Sequence, residues 1–339
     1  ESMTSMHFSQ NSKFLATSCQ LKHGSDQILI HQVEADAVKH EEEHFDAKEG
    51  GGGATISCVA FAKDGKTIMV GDQSNKILLR DTQTCKEIFK FKSDVDCRKY
   101  TLTDGEPIAI SFSSDSKYVA ICEYDVATEI KIREDFGTKL AEELEPKHKL
   151  VVRDVEFGDV VGNEICSKFR VDSVHFHPDS DYPNILVYLE KGRSYAHADG
   201  HKKNQAVLRN IGQGCSHEIK RLDGSETGVD GDSRRSCSLA EVCFTPNGKL
   251  ALLIKDEESE KCAVAFHEID KAERVSHEGH LIEYESRIRT MRFSPDGMLI
   301  SVFMEGKVEI KFVDGGKNAH TLEGDQNAAC SSQNFRYFV

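Results

Sequence analysis

Apolar and polar residues alternate in short runs along the whole chain, and the runs return in a fixed order. The clearest copy is "IRTMRFSPDGMLISVF", Ile288 to Phe303. Apolar residues alternate into a phenylalanine, a Ser-Pro-Asp-Gly turn follows, and a second apolar run comes back. Alternation with period two predicts strands, and the turn residues predict that the second strand folds onto the first. The same unit begins at Met3, Ile56, Ile108, Val171 and Leu239. Its anchoring phenylalanines are Phe8, Phe61, Phe112, Phe176, Phe244 and Phe293, spaced by 53, 51, 64, 68 and 49 residues.

Each unit continues into further apolar runs. "KILLRD" from Lys76, "EIKIRED" from Glu129, "CAVAFHEID" from Cys262 and "VEIKFVD" from Val308 read as third strands. "CKEIFKFK" from Cys85 and "QAVLRNI" from Gln205 read as fourth strands. A four-stranded sheet cannot cover both of its own faces, so repeated sheets stack side by side around an axis. The pattern predicts an all-β protein, a β-propeller of four-stranded antiparallel blades over residues 1–339. The six units lie near 1–50, 51–105, 106–170, 171–238, 239–287 and 288–333. "NFRYFV", 334–339, reads as the start of a further strand. The expectation is a six-bladed ring or part of a seven-bladed one cut from a longer protein.

The units resemble WD40 repeats, through the apolar-x-Phe-Ser-Pro-Asp-Gly pattern best kept at Phe293 to Gly297. The chain has no tryptophan, and in place of the family's Trp-Asp stand Arg80-Asp81, Glu134-Asp135, Ala198-Asp199 and Val313-Asp314. A Gly-His pair of the family kind appears at Gly279-His280. The resemblance implies a non-catalytic scaffold for protein–protein interaction in a multiprotein complex.

Composition narrows the picture. The formal net charge of −14 argues against direct nucleic-acid binding, which needs cations facing phosphates. No apolar run reaches the ~18 residues of a membrane-spanning helix, so no membrane insertion is expected. The eleven cysteines form no Cys-x-x-Cys, and several sit inside apolar runs, as reduced buried thiols do. That points to a reducing compartment, the cytoplasm or alternatively the nucleus.

Candidate chemistry is sparse. "KHEEEHF", Lys39 to Phe45, matches His-Glu-x-x-His; on a helix His40 and His44 would share a face and hold zinc beside Glu41. In the repeat register, however, it is the charged outer strand of the first unit. A metal-dependent hydrolase using this segment, or an enzyme with ligands at the central axis, is the alternative to the scaffold. "GGGG", Gly50 to Gly53, lacks the following Lys-Ser/Thr of a phosphate loop. "HFH" (His175–His177) and "HADGH" (His197–His201) read as a strand and a turn, and the acidic loop Asp223–Ser236 misses the spacing of a calcium loop. No Gly-x-Ser-x-Gly occurs. No catalytic, metal or cofactor residue is assigned.

A partner surface is expected where the two long intervals place extra sequence, about 146–170 and 212–238. The candidates are Arg153, Asp154, Glu156, Phe157, Lys220, Arg221, Arg234 and Arg235, with Ser236 and Ser238 as phosphorylation sites. Arg287 and Arg289 serve a second alternative, a reader of peptide tails or phosphorylated motifs.

Overall fold

The computed structural model describes residues 2–9, 14–20, 26–34, 37–46, 56–72, 77–84, 86–91, 109–124, 148–162, 165–167, 170–192, 204–212, 217–223, 237–256, 261–270, 274–276, 280–294 and 296–323. Among them there is no helix, and so none long and apolar enough to cross a membrane. The chain divides into two compact units, Glu1–Lys168 and Phe169–Val339.

The first unit holds three sheets. They are β1 (Ser2–Phe8) to β2 (Phe14–Gln20), β3 (Asp26–Glu34) and β4 (Ala37–Asp46); β5 (Ile56–Phe61), β6 (Thr67–Asp72), β7 (Ile77–Asp81) and β8 (Glu87–Phe91); and β9 (Ile110–Phe112), β10 (Tyr118–Tyr124), β11 (His148–Asp154) and β12 (Ile165–Ser167). The second unit holds three more. They are β13 (Arg170–Phe176), β14 (Ile185–Lys191), β15 (Gln205–Asn210) and β16 (His217–Asp223); β17 (Cys237–Phe244), β18 (Leu250–Asp256), β19 (Cys262–His267) and β20 (His280–Tyr284); and β21 (Ile288–Phe293), β22 (Leu299–Met304), β23 (Lys307–Phe312) and β24 (Asn318–Glu323). Every sheet is a four-stranded antiparallel meander, and each is one propeller blade.

Strand β18 shows why the central run of a second strand, here Leu250 to Ile254, is apolar at successive positions. Leu250, Leu252 and Ile254 pack into the core shared with the β13–β16 blade, alongside Val187, Leu189 and Leu208. Ala251 and Leu253 turn the other way, into the core shared with the β21–β24 blade, with Met291, Ile300 and Val302. Both faces are buried, so the run does not alternate. In the first unit Ala16, Ile30, Val59 and Ile68 fill the seam between the first two blades, and Met69, Leu79, Val119 and Ile121 fill the next.

In four blades the opening hairpin closes by one device, a buried hydroxyl directly after the anchoring phenylalanine that is shared within the turn; Ala62 and His177 stand there in the second and fourth blades. In the last blade Ser294 Oγ donates to Asp296 Oδ1 at 2.6 Å and accepts from the Leu299 amide at 2.8 Å. Ser113 does the same with Asp115 and Tyr118, and Thr245 with Asn247 and Lys249. The turn then needs a left-handed residue, supplied by Gly65, Gly248 and Gly297. In the third blade Ser116 stands there, at φ 60°. Relief of about 1–2 kcal/mol of left-handed strain exceeds the ~0.4–1 kcal/mol that glycine loses to unfolded-chain freedom. Ser116→Gly is therefore expected to raise stability slightly, seen as a higher denaturant midpoint at unchanged slope; a lower midpoint would contradict it.

Several strand expectations need correction. The third strand of the third blade is β11, not the run from Glu129, so the extra length there is residues 125–147, between second and third strands. In the fourth blade "QAVLRNI" supplies the third strand, β15, and the fourth is β16. Residues 129–135 lie outside the described residues, and one sequence does not show which run pairs with β10. The aspartate at the end of the third strand is likewise Asp154, not Asp135, with Asn210 in place of Asp199. These side chains cap the next turn: Asp81 Oδ1 accepts from Gln83 N and from Thr84 N and Oγ1, and Asp154 Oδ1 from Glu156 N and Phe157 N. The hydrogen bonds from Thr84 hold the Asp81 carboxyl below its ordinary range. "KHEEEHF" lies in β4, a strand with a register shift between Lys39 and Glu43, so the helical spacing a zinc site would use is not formed. "GGGG", "HADGH", the acidic loop from 224 to 236 and "NFRYFV" lie outside the described residues.

Candidate functional site: a polar cluster on the inner strands

First strands of consecutive blades run beside one another, β1 by β5, β5 by β9, and β13 by β17. Hydrogen bonds tie β17 to β21 in the same way. In each first strand the residues one and three places before the phenylalanine share a face. In the second unit these positions are conspicuously polar: Ser173 and His175 on β13, Glu241 and Cys243 on β17, Thr290 and Arg292 on β21.

Glu241 joins two blades. Its carboxylate accepts from Thr290 Oγ1 at 3.2 Å, the Met291 amide at 3.1 Å and Arg292 Nη1 at 3.1 Å. Arg292 Nη1 also donates to Thr290 Oγ1 at 2.8 Å and to the Met291 carbonyl at 2.7 Å. The guanidinium is thus held at one end while its side chain stays 54% exposed. Its charge reaches both His175 and Cys243.

His175 keeps part of its surface open but is densely surrounded. Burial, and then Arg292, push its imidazole down to about 4, so it is neutral at physiological pH with a lone pair available. Burial pushes the Cys243 thiol up, Glu241 adds to the effect, and Arg292 opposes it. Cys243 is therefore a protonated packing group, not a nucleophile. Ser173 Oγ is buried without a hydrogen-bond partner. Asp172 beside it is ion-paired to Lys191.

His177, two residues on, has a different task. Its Nε2 donates to the Gly248 carbonyl at 3.2 Å, its Nδ1 accepts from the Asp179 amide at 3.2 Å, and its ring sits edge-on to Tyr182 and Phe244. Nε2 joins two blades, and Nδ1 holds the turn of its own blade. Among the described residues, no group of three or more His, Cys, Asp or Glu side chains gathers around one point where a metal ion would fit.

The residues chosen from sequence as a partner surface fall in separate elements. Arg153, Asp154, Glu156 and Phe157 do not belong to an insert. They form the β11–β12 hairpin, where Arg153 Nη1 donates to the Gly158 carbonyl at 3.1 Å and Phe157 is 64% exposed. Lys220 and Arg221 lie in strand β16, and Arg221 bonds Glu190 and Glu218. Arg234 and Arg235 lie outside the described residues, as does Ser236; Ser238 lies in β17. Arg287 and Arg289 are exposed at the start of β21, on the strand that carries Arg292. Glu241 and Thr290 escaped the sequence reading. The signal that would have found them is position relative to the phenylalanine, where earlier blades carry Ser5 and His7, Cys58 and Ala60, and Ala109 and Ser111.

No protein-family model matches the chain, and neither does any curated protein sequence. Its fold is that of solved β-propellers. An oligogalacturonate lyase from Vibrio parahaemolyticus matches with a TM-score of 0.59 at 12% identity, over 97% of this chain and 79% of that one. An oligogalacturonate lyase in complex with manganese matches with a TM-score of 0.63 at 12% identity, over 98% of this chain and 83% of that one. At this identity the likeness establishes the fold. It also corrects three expectations: the resemblance to WD40 repeats, the non-catalytic scaffold role in a multiprotein complex, and the absence of catalysis. The Phe-Ser-Pro-Asp-Gly hairpin that suggested them serves blade closure, which any four-stranded blade needs, and it does not mark one propeller family.

Proposed function

We propose that this chain is a β-propeller enzyme that cleaves an acidic oligosaccharide by β-elimination, with His175 and Arg292 at the reacting centre. The observation that carries the reading is the neutral imidazole of His175 within electrostatic reach of an anchored, exposed guanidinium, both on first strands of the second unit. The fold shared with oligogalacturonate lyases supports the choice of substrate class.

β-Elimination from a uronate needs two things. A base removes the proton on the carbon next to the carboxylate, and a cation stabilises the negative charge that spreads onto that carboxylate as the C–H bond breaks. His175 carries the free lone pair, and Arg292 carries the charge. Glu241 accepts one hydrogen bond from the Arg292 guanidinium and two more from Thr290 and the Met291 amide beside it, so little reorganisation is needed when the anion develops. The electron pair then forms the carbon–carbon double bond as the C–O bond breaks; the glycosidic oxygen leaves as a hydroxyl with a proton from water, and His175 returns its proton to solvent. A substrate carboxylate arriving beside Arg292 also offsets its repulsion of a protonated imidazole, so His175 becomes a stronger base once substrate is bound. The described residues do not gather the ligands of a metal ion, so no step is assigned to one.

The purified protein is assayed with oligogalacturonates and other uronate oligomers, with manganese and with chelator, following the ultraviolet absorbance of the unsaturated product. Growth of that absorbance is the expected result. Absence of product from every uronate oligomer under both conditions would remove the lyase reading, and release of saturated sugars would replace it by hydrolysis.

A further inference from the structure

The segment from Arg287 to Arg292 places three arginines at the surface of a chain whose formal net charge is −14. Arg292 is held by Glu241, and the neighbouring Glu285 is taken by Lys261 at 2.7 Å. Arg287 and Arg289 have neither a hydrogen bond nor an ion pair among the described residues. Two unneutralised guanidinium groups in so acidic a chain form a local exception that calls for an anion.

The backbone singles out Arg289. Residues 288 and 290 pair with 304 and 303, so Arg289 is the extra residue of a β-bulge. The same shift occurs four places before the phenylalanine in four other first strands, at Thr4, Ser57, Asp172 and Ala240. A bulge residue leaves the ladder and its side chain is re-aimed, which is why bulges serve as mounting points next to sites. In the second unit this mount carries the ion-paired Asp172, the small Ala240 and the free Arg289. Arg289 lies three positions before Arg292, about 10 Å along an extended strand and somewhat less across a bulge. One carboxylate does not span that distance, whereas two carboxylates of one oligosaccharide do.

We propose that Arg289, with Arg287 beside it, forms a second carboxylate subsite. It holds a neighbouring uronate of the acidic oligosaccharide whose reacting unit lies at His175 and Arg292. The inference rests on the lyase reading above. Guanidinium groups bind carboxylates through paired hydrogen bonds, and the negative charge elsewhere on the chain disfavours other docking positions for an anion. The subsite sets substrate class and length: an acidic oligomer is preferred over a single uronate, and a neutral oligomer is not held. Arg289 is a positioning residue and touches no reacting atom.

The test titrates a uronate trimer, a single uronate, a neutral trisaccharide and an oligoglutamate peptide into wild type, Arg289→Ala, Arg289→Lys and His175→Gln by calorimetry, with steady-state kinetics alongside. The expected result is trimer affinity at least tenfold weaker in Arg289→Ala, partly restored in Arg289→Lys and kept in His175→Gln. Arg289→Ala is also expected to raise KM for the trimer tenfold or more, with kcat within about twofold and an unchanged melting temperature. Trimer cleavage with wild-type KM in Arg289→Ala would overturn the subsite and leave the lyase reading intact. Equal affinity of wild type for trimer and single uronate would do the same. Tighter binding of oligoglutamate than of the trimer would replace the subsite by a peptide surface. A wild type that neither binds nor cleaves the trimer would remove subsite and lyase reading together.

Discussion

His175→Ala is expected to lower turnover of a uronate oligomer by roughly 10²–10⁴-fold, the usual contribution of a positioned general base. Substrate affinity should change much less, because Arg292 and its Glu241 anchor are untouched. His175→Gln keeps the polar shape and should be equally inactive, which separates loss of the base from loss of packing. In wild type the acid limb of activity follows protonation of His175. The free-enzyme limb belongs near pH 4, where burial and Arg292 place the imidazole. The limb for the substrate complex lies higher, since the bound carboxylate favours the charged ring.

The same residue leaves a mark on stability, and its sign is opposite to that of a salt-bridged histidine. The folded-state value lies below the unfolded one near 6.5, so above pH 6.5 both states are neutral and the residue contributes nothing. Between pH 6.5 and 4 the unfolded chain takes up a proton that the folded chain refuses, and stability falls as pH falls. The full loss, reached below pH 4, is at most about 3 kcal/mol. Denaturant titrations across this window should show the slope in wild type and a shallower one in His175→Gln. Full activity in His175→Ala with a pH profile like that of wild type would exclude His175 as the base.

The second large effect concerns packing. Leu252→Ala should destabilise the protein by about 2–5 kcal/mol, the range for truncating a buried leucine where the surroundings relax incompletely. Leu252 is fully buried in the seam between the β13–β16 and β17–β20 blades, among Val187, Leu208 and Leu239. Its strand is pinned on the opposite face by Ala251 and Leu253 in the next seam, so β18 has little freedom to close the cavity. Thermal and denaturant unfolding monitored by circular dichroism will measure the loss; a cost under ~1 kcal/mol would mean that the blades repack around the gap. Because β17 on the same blade carries Glu241 and Cys243, a fall in activity beyond the loss of folded protein would show that blade packing also sets the geometry of the inner strands.

Much of the architecture was legible in the chain. Period-two runs ending at Phe8, Phe61, Phe112, Phe176, Phe244 and Phe293 are direct consequences of strands with alternating faces. The glycine or short polar residue four places on follows from the left-handed turn. The third strands of the third and fourth blades were not legible. Runs of similar composition compete for the same neighbour, and the choice of β11 and β15 rests on hydrogen-bond register that a single sequence does not encode locally. The WD40 reading failed for a related reason. The hairpin motif reports how a blade closes, and that requirement is common to propellers with different chemistry.

The candidate site divides along the same line. The sequence by itself determined that blades would form, that a turn after each phenylalanine would close the hairpin, and that Arg289 would lie within the last first strand with Arg287 just before it. It also placed the matching His175, Glu241 and Cys243 on the equivalent strands of other blades, though residues 49 to 117 positions apart cannot be read as neighbours. Only the tertiary structure decided that Glu241 would anchor Arg292 across a blade seam, and that burial together with that guanidinium would keep His175 neutral. Burial and charge proximity are properties of how blades pack, and no local run of residues carries them.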